Sequence, residues 1–147
     1  MPEKIHLLVR ALILKDNQIL LAKGVGSKFT FLPGGHIEVG ESAKKSLKRE
    51  LQEEMGAEVK VGKYLGVLEH SFSLANRFQH EINHIFLVEL VNNEQKIKSK
   101  ENHLHFFWVN IDELEKNNLE PSPLKKIIPE VLKNKNFFFW QSTINNN

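Results

Sequence analysis

Residues 35–57 read GHIEVGESAKKSLKRELQEEMGA, and this stretch decides how the rest of the chain is interpreted. Over residues 42–55 the apolar positions recur every four residues, which predicts an α-helix with one buried stripe. A second face of this helix carries three acidic residues at spacings i, i+3 and i+4, namely Glu50, Glu53 and Glu54. The segment therefore predicts a helix that presents a cluster of carboxylates.

This carboxylate cluster opposes helix stability unless something compensates it. Like charges three or four positions apart destabilise a helix by about 0.2–0.5 kcal/mol per pair, and the helix dipole disfavours anions near the C-terminus. Carboxylate oxygens are the ligands that Mg²⁺ and Mn²⁺ prefer, so a bound divalent cation is one explanation. A merely solvated acidic face is the other, and the three residues alone do not separate the two.

The residues upstream of the helix favour the metal site. Residues 33–35 (Pro-Gly-Gly) end a short apolar segment, and two glycines allow a sharp turn and a close approach to a ligand. A glycine carbonyl at this turn could supply another hard oxygen. Glu41 precedes Arg49 by eight residues, a spacing that permits an ion pair between the loop and the helix.

This segment resembles the Nudix box, whose pattern is G-x(5)-E-x(7)-R-E-U-x-E-E-x-G-U with U a bulky aliphatic residue. The one departure is Ala57, which is smaller than the expected aliphatic residue and falls at a packing position. Weaker similarity to the family's layout extends over residues 5–115. The matching positions are Gly35, Glu41, Arg49, Glu50, Leu51, Glu53, Glu54 and Gly56.

The resemblance implies an α/β fold, the Nudix α/β/α sandwich, in which a mixed β-sheet lies between helices. It implies that the box glutamates bind Mg²⁺, with Mn²⁺ as a substitute, helped by the Gly34 carbonyl. It also implies that Arg49 pairs with Glu41 and orients the helix, and that Gly35 and Gly56 are structural.

Many Nudix relatives use a further acidic residue from a loop before a late strand that contains tryptophan. Glu101, seven residues before Trp108, is the candidate here, and an ordinary loop charge is the alternative. The expected catalytic residues are Arg49, Glu50, Glu53, Glu54 and Glu101, and the expected metal ligands are Gly34, Glu50, Glu53, Glu54 and Glu101.

The rest of the chain predicts strands and two more helices around the box. Apolar and β-branched runs indicate six strands, over residues 5–14, 18–23, 29–32, 58–70, 81–91 and 105–109. A short helix is expected over 112–116 and another over 123–133, with Pro129 inside it. Residues 141–147 are expected to fray.

Length and composition fit a single domain over residues 1–147. The chain is 41% hydrophobic and 26% charged, which is typical of a soluble globular protein. It has no cysteine, which excludes disulfides and thiolate catalysis and fits a reducing compartment. No apolar stretch is long enough to span a bilayer, so a cytoplasmic protein without a membrane partner is expected. The net charge of +2 gives no indication of nucleic-acid binding.

Two basic residues near the box, Arg10 and Lys23, are the expected substrate contacts. Arg10 interrupts an apolar strand, so it either contacts phosphate in a cleft or reaches water from a sheet edge.

No proline lies between Pro33 and Pro121, so the downstream proline associated with ADP-ribose pyrophosphatases is absent. Nucleoside triphosphates are the favoured substrates. The aromatic run 137–140 either forms a homodimer interface or packs on the chain's own core.

The sequence thus predicts Mg²⁺-dependent hydrolysis of a pyrophosphate bond in a nucleoside diphosphate linked to another group, such as a nucleoside triphosphate. Water would attack one phosphorus, with a carboxylate as the proton acceptor. The alternative is a Nudix-like module that binds a nucleotide without turnover. Such modules usually lose box glutamates, whereas this chain keeps all three.

Overall fold

The structure, a computed structural model, describes residues 3–92, 97–134 and 136–144, and within them the chain forms eight strands and two α-helices. The helices are α1 (Ala43–Met55) and α2 (Leu124–Lys133). The strands are β1 (Ile5–Lys15), β2 (Gln18–Gly24), β3 (Thr30–Phe31), β4 (Gly34–His36), β5 (Val59–Leu74), β6 (Arg77–Leu90), β7 (Leu104–Asn110) and β8 (Phe139–Ser142).

All eight strands join one mixed sheet with β1 near its centre. The main path runs β3-β2-β1-β6-β5-β8, with β4 paired to β1 and β7 paired to β2. The β1–β6 and β5–β8 pairs are parallel, and the other pairs are antiparallel. On its other side β1 pairs with β4 as far as Arg10 and with β2 from Leu14 onwards. Arg10 therefore lies close to the point where β1 changes its neighbour.

The two helices cover opposite faces of the sheet. Val9, Ala11 and Ile13 of β1 pack with the apolar stripe of α1. Leu12, which alternates with them, belongs to the second core together with residues of α2 such as Ile128. A strand covered on both faces is apolar nearly throughout, which explains the run in β1. The arrangement confirms the predicted α/β/α sandwich with a mixed sheet between helices.

The predicted elements are present, but several bounds differ. The strands expected over 58–70 and 81–91 extend into one long hairpin, because Ala75 and Asn76 form a tight turn with φ of 50° and 62°. The short helix expected over 112–116 is instead a single 3₁₀ turn, Ile111–Glu113.

Two short strands were not predicted. Gly34–His36 was expected to be a turn but pairs with β1 as β4. The predicted frayed tail over 141–147 is wrong for Gln141 and Ser142, which pair with β5 as part of β8, and residues 145–147 lie outside the described residues. Among the described residues, no helix is long and apolar enough to cross a membrane.

Candidate active site

Helix α1, which carries the box glutamates, is capped at both ends. The Ser42 Oγ accepts a hydrogen bond from the Lys45 N–H at 3.1 Å, which satisfies a free donor at the N-terminus. At the C-terminus Gly56 adopts a left-handed conformation with φ 63°, and its N–H donates to the Gln52 carbonyl at 2.9 Å. The apolar stripe is packed against the sheet, as predicted, so the acidic face turns towards the edge of the core.

The expected ion pair between Glu41 and Arg49 is present and bidentate. The Arg49 Nε and Nη2 donate to the two Glu41 oxygens at 2.7 and 3.0 Å. Hydrogen bonding to Arg49 lowers the pKa of Glu41 to about 2. The same guanidinium donates to Glu50 at 3.0 Å and to Glu53 at 3.3 Å. Arg49 therefore ties the box loop to α1 and partly neutralises two of the three helix glutamates.

Glu54 is the carboxylate that protein contacts do not satisfy. It is only 8% exposed, and its Oε2 has no hydrogen-bond partner among the described residues. Burial first, and then the nearby Glu50 and Glu101 carboxylates, raise the pKa of Glu54 to about 8, against an opposing effect of Arg10. A buried carboxylate is costly unless a cation pairs with it. The grouping of these carboxylates and the free oxygen fit a hard divalent cation.

The carboxylates do not yet converge on one point. Within residues 3–92, 97–134 and 136–144, no three His, Asp or Glu side chains share a metal-coordinating arrangement. Arg49 contacts Glu50 and Glu53, and the Glu53 side chain is 53% exposed. Both residues would have to exchange an arginine contact for a metal contact.

The two glycines before the box occupy positions where no side chain fits. Gly34 has φ +149°, and a Cβ there would overlap the carbonyl oxygen of Val9 on the adjacent strand. A Cβ at Gly35 would overlap the carboxylate of Glu50. Gly35 therefore allows Glu50 to lie directly against β4. The role of the Gly34 carbonyl as a metal ligand stays a prediction.

The loop before β7 is fixed to the end of α1 and brings Glu101 with it. The Lys100 N–H donates to the Glu54 carbonyl at 2.7 Å. The Ser99 Oγ accepts from the Glu101 N–H at 3.1 Å and donates to the Glu101 carbonyl at 2.7 Å. The Glu101 carboxylate lies 3.3 Å from His103 Nε2 and keeps 36% exposure. Glu101 is thus held beside the box glutamates with an accessible carboxylate.

A cavity of about 580 Å³ opens beside the carboxylates, and Arg10 lines it. The Arg10 Nη1 donates to the Leu32 carbonyl at 3.1 Å, and Nε donates to the Asn83 Oδ1 at 3.4 Å. The guanidinium lies over the Phe31 ring, 5.5 Å from its centroid. These contacts fix Arg10 in the cavity wall and leave several of its five N–H donors for a ligand.

Arg10 also connects the cavity to the glutamates. Burial lowers the pKa of Arg10, whereas the Glu81, Glu54 and Glu50 carboxylates raise it. The other expected substrate contact, Lys23, is not among the residues that line the cavity. Lys23 lies on β2 between β3 and β7. The two basic residues therefore do not line the same cavity.

Sequence reasoning missed the polar residues that the fold adds to the site. Glu81 and Asn83 lie two positions apart on β6 and line the cavity, as does Glu120 from the segment before α2. For Glu81 and Asn83, the available signal in the sequence was the presence of two polar residues, two positions apart, in an otherwise apolar strand. His6 and His36 also lie together, with Nδ1 and Nε2 3.0 Å apart.

The family model for the NUDIX domain matches residues 4–131, and the chain therefore belongs to the Nudix family. Among curated relatives, it is 34% identical over 105 residues to the ADP-ribose pyrophosphatase of Methanocaldococcus jannaschii, covering 69% of this chain and 61% of that protein. It is 29% identical over 130 residues to the 8-oxo-dGTP diphosphatase of Buchnera aphidicola, covering 86% and 92%. The names of these relatives describe hydrolases of acid anhydrides.

Solved structures agree with this family membership. The solution structure of the Escherichia coli ORF135 protein is 27% identical, with a TM-score of 0.66 and coverage of 91% of this chain and 94% of that one. The MutT protein from Methanosarcina mazei is 23% identical, with a TM-score of 0.70 and coverage of 92% and 99%. The second likeness shows that the fold is shared over nearly the whole length of both chains.

Proposed function

We propose that this Nudix protein hydrolyses a pyrophosphate bond in a nucleoside diphosphate linked to another group, with Mg²⁺ as its cofactor and Mn²⁺ as a substitute. The observation that carries the proposal is the Glu54 carboxylate. It is buried, its Oε2 is unpartnered within the described residues, and the Glu50 and Glu101 carboxylates lie nearby. A divalent cation would offset this repulsion and would also bind the polyphosphate of a substrate.

The residues that would hold the cation are Glu50, Glu53, Glu54 and Glu101, with the carbonyl of Gly34. When bound, the cation supplies positive charge that offsets the repulsion between phosphate oxygens and an incoming nucleophile. Glu50 or Glu101 would accept a proton from the water that attacks phosphorus, since both carboxylates border the buried Glu54.

Arg49 and Arg10 have different parts in this proposal. Arg49 makes hydrogen bonds to Glu41, Glu50 and Glu53, so it orients α1 and its loop. Arg10 lies between the glutamates and the cavity and would bind the phosphate chain through its remaining N–H donors. Lys23, outside the cavity lining, would act on substrate only at the periphery.

Nucleoside triphosphates are the substrates that we favour, with ADP-ribose as the alternative. One relative is named for ADP-ribose and another for 8-oxo-dGTP, and the second aligns over 92% of its length. The absence of the downstream proline also favours triphosphates.

We further propose a cytoplasmic location without membrane or nucleic-acid partners. Phe138 and Trp140 are 63% and 64% exposed, which fits a homodimer interface at the edge strand.

The test is turnover by purified protein on nucleoside triphosphates, ADP-ribose and nucleotide sugars, with and without Mg²⁺. Released phosphate would be measured after addition of inorganic pyrophosphatase for the triphosphates, which yield pyrophosphate. For ADP-ribose and nucleotide sugars it would be measured after addition of alkaline phosphatase, because their hydrolysis yields two phosphomonoesters. We expect Mg²⁺-dependent turnover, and we expect the Glu53→Gln protein to fold but to lose most of it. Glu58→Gln, an exposed glutamate just beyond α1, is the matched control.

Two outcomes would contradict the proposal in different ways. Near-full turnover by a pure Glu53→Gln sample would remove the metal assignment. Nucleotide binding without turnover across the whole panel would support a binding module instead of an enzyme.

A further inference from the structure

Four ionisable side chains outside the carboxylate cluster form one row across the sheet. In the pairing of β5, β6 and β1, the residues His70, Glu81 and His6 are direct neighbours. Directly paired residues project from the same face of a sheet. His36 joins this row from β4, because its ring contacts the His6 ring. Three imidazoles and one carboxylate are therefore gathered on one surface.

His6 and His36 make the closest contact within this row. The His6 Nδ1 and the His36 Nε2 are 3.0 Å apart, so one ring donates a hydrogen bond to the other. Neither ring makes another hydrogen bond to the residues that the structure describes. His36 is exposed and His6 is half-buried, so a cation in solution can reach both nitrogens.

The separation of these two nitrogens is close to that of two ligands on one metal ion. Two imidazole nitrogens bound to a tetrahedral Zn²⁺, each about 2.05 Å from it, lie about 3.3 Å apart. The observed separation of 3.0 Å therefore needs only a small outward movement and rotation of the rings. The cation would replace the proton that the two rings share.

The backbone that carries both rings is fixed. His6 pairs with β6, and Leu8 of the same strand pairs with His36. The His36 carbonyl accepts hydrogen bonds from the Ser46 Oγ and the Arg49 Nη2, both at 3.1 Å. Ligands held on paired strands lose little conformational entropy when a metal binds, which favours affinity.

Glu81 is the third ligand that the row supplies. It lies directly opposite His6, and its carboxylate is weakly held, by a 3.5 Å hydrogen bond from the Asn83 Nδ2. Among the described residues no three such ligands converge, so a change of the Glu81 rotamer is needed to bring an oxygen to the pair. His70 is already engaged, because its Nδ1 lies 2.9 Å from the Thr143 Oγ1.

The nitrogen donors decide which cation this surface can bind. Imidazole suits Zn²⁺, Ni²⁺ and Cu²⁺, whereas Mg²⁺ prefers oxygen ligands. Two imidazoles, one carboxylate and a water make a donor set that Zn²⁺ accepts. We propose that His6, His36 and Glu81 form a metal site that binds Zn²⁺ in preference to Mg²⁺. This site shares no side chain with the carboxylate cluster of α1 and does not depend on nucleotide hydrolysis.

The first test is a calorimetric titration of the full chain, without an affinity tag, with Zn²⁺ in excess Mg²⁺. We expect a Kd in the micromolar range that His6→Ala and His36→Ala each weaken by at least about 10-fold, because a ligand is lost. His105→Ala, which removes an exposed histidine on β7, should keep the wild-type Kd. An unchanged Zn²⁺ affinity in both His6→Ala and His36→Ala would overturn the proposal.

The second test identifies the coordinating atoms in the unaltered protein. Long-range ¹H–¹⁵N spectra of the histidine rings should show that Zn²⁺ shifts the His6 Nδ1 and the His36 Nε2. The ring signals of His105 should stay in place, and so should all of them when only Mg²⁺ is added. Zn²⁺ shifts confined to other histidines would contradict the assignment.

The third test addresses Glu81 and the folding of the variants. The Zn²⁺ Kd of Glu81→Gln should lie between those of the wild type and His36→Ala, and a wild-type value would exclude Glu81 as a ligand. Zn²⁺ should raise the Tm of the wild type in excess Mg²⁺, because it binds only the folded chain. The rise should be lost in His6→Ala, whose Tm without Zn²⁺ shows whether it folds normally. A full rise in a normally folded His6→Ala protein would contradict the site.

Discussion

The two halves of the candidate site are encoded in the chain in different ways. The carboxylate half comes largely from one helix, α1, and from the loop that Arg49 holds against it. The cavity half is assembled from β1, β3, β5, β6 and the segment before α2, which are far apart in sequence. The comparison teaches that metal chemistry can be encoded in local spacing, whereas substrate selection depends on how distant strands pair.

The largest effect is expected from Glu54→Gln, which disrupts only the carboxylate half of the site. In Glu54→Gln, kcat on the best nucleotide should fall by about 10²–10⁴-fold, the range for loss of a positioned acid–base or charged group. The Tm measured without metal at a pH above about 8, where Glu54 is ionised, should stay the same or rise, because the change removes a buried charge crowded by Glu50 and Glu101. Steady-state kinetics and thermal melts of the same sample check both parts.

Glu58→Gln provides the control for this experiment, because that side chain is exposed and lies outside the cluster. It should match the wild type in kcat and Tm. If Glu54→Gln kept near-normal kcat, the buried carboxylate would have only a structural role. The distinction between the two halves would then lose its basis.

A smaller effect is expected at Arg10, where the two halves meet. Arg10→Ala should raise KM by roughly 10-fold or more and change kcat less, because a phosphate contact made in both ground and transition states is lost. Arg10→Lys keeps a charge but not the hydrogen bonds to Leu32 and Asn83. A KM between those of the wild type and Arg10→Ala is expected for it.

Lys23→Ala is the comparison for Arg10, because Lys23 does not line the cavity. Its KM should stay within about 2-fold of the wild type, as is usual for a charge that lies outside the binding cavity. An unchanged KM in Arg10→Ala would contradict the proposed contact between Arg10 and the phosphate chain. A larger effect at Lys23 than at Arg10 would mean that substrate approaches from β2.

Sequence reasoning succeeded where structure follows local spacing. The periodicity over residues 42–55 was enough to predict α1, and the spacing of Glu41 and Arg49 was enough to anticipate their ion pair. Both depend only on helix geometry and short loops. The β1–β2 hairpin was predictable for the same reason, since a two-residue turn separates two apolar runs.

The parts that were missed depend on pairing between distant segments. Gly34 and Gly35 have low strand propensity, and they form β4 only because β1 pairs with them. Residues 139–142 form β8 through parallel pairing with β5. Glu120 reaches the cavity through a backbone contact with Thr30, ninety positions earlier in the chain. No local pattern carries that information.

The smallest effect is expected from Glu41→Gln, which weakens the contact between α1 and the loop before it. The pKa of Glu41 is about 2 in the folded protein, against an ordinary value of 4.5. The resulting stabilisation is fully present above pH 4.5 and is lost as the pH falls through 2. Glu41→Gln should therefore have a lower Tm than the wild type at pH 7. The difference in Tm should narrow at pH 3, where the unfolded chain is already protonated at this position, and thermal melts at both pH values measure it.

A difference in Tm of equal size at the two pH values would show that the Glu41–Arg49 charge pair is not its source. Because the cavity is built from other segments, Glu41→Gln should also lower kcat more than it raises KM, the opposite of Arg10→Ala.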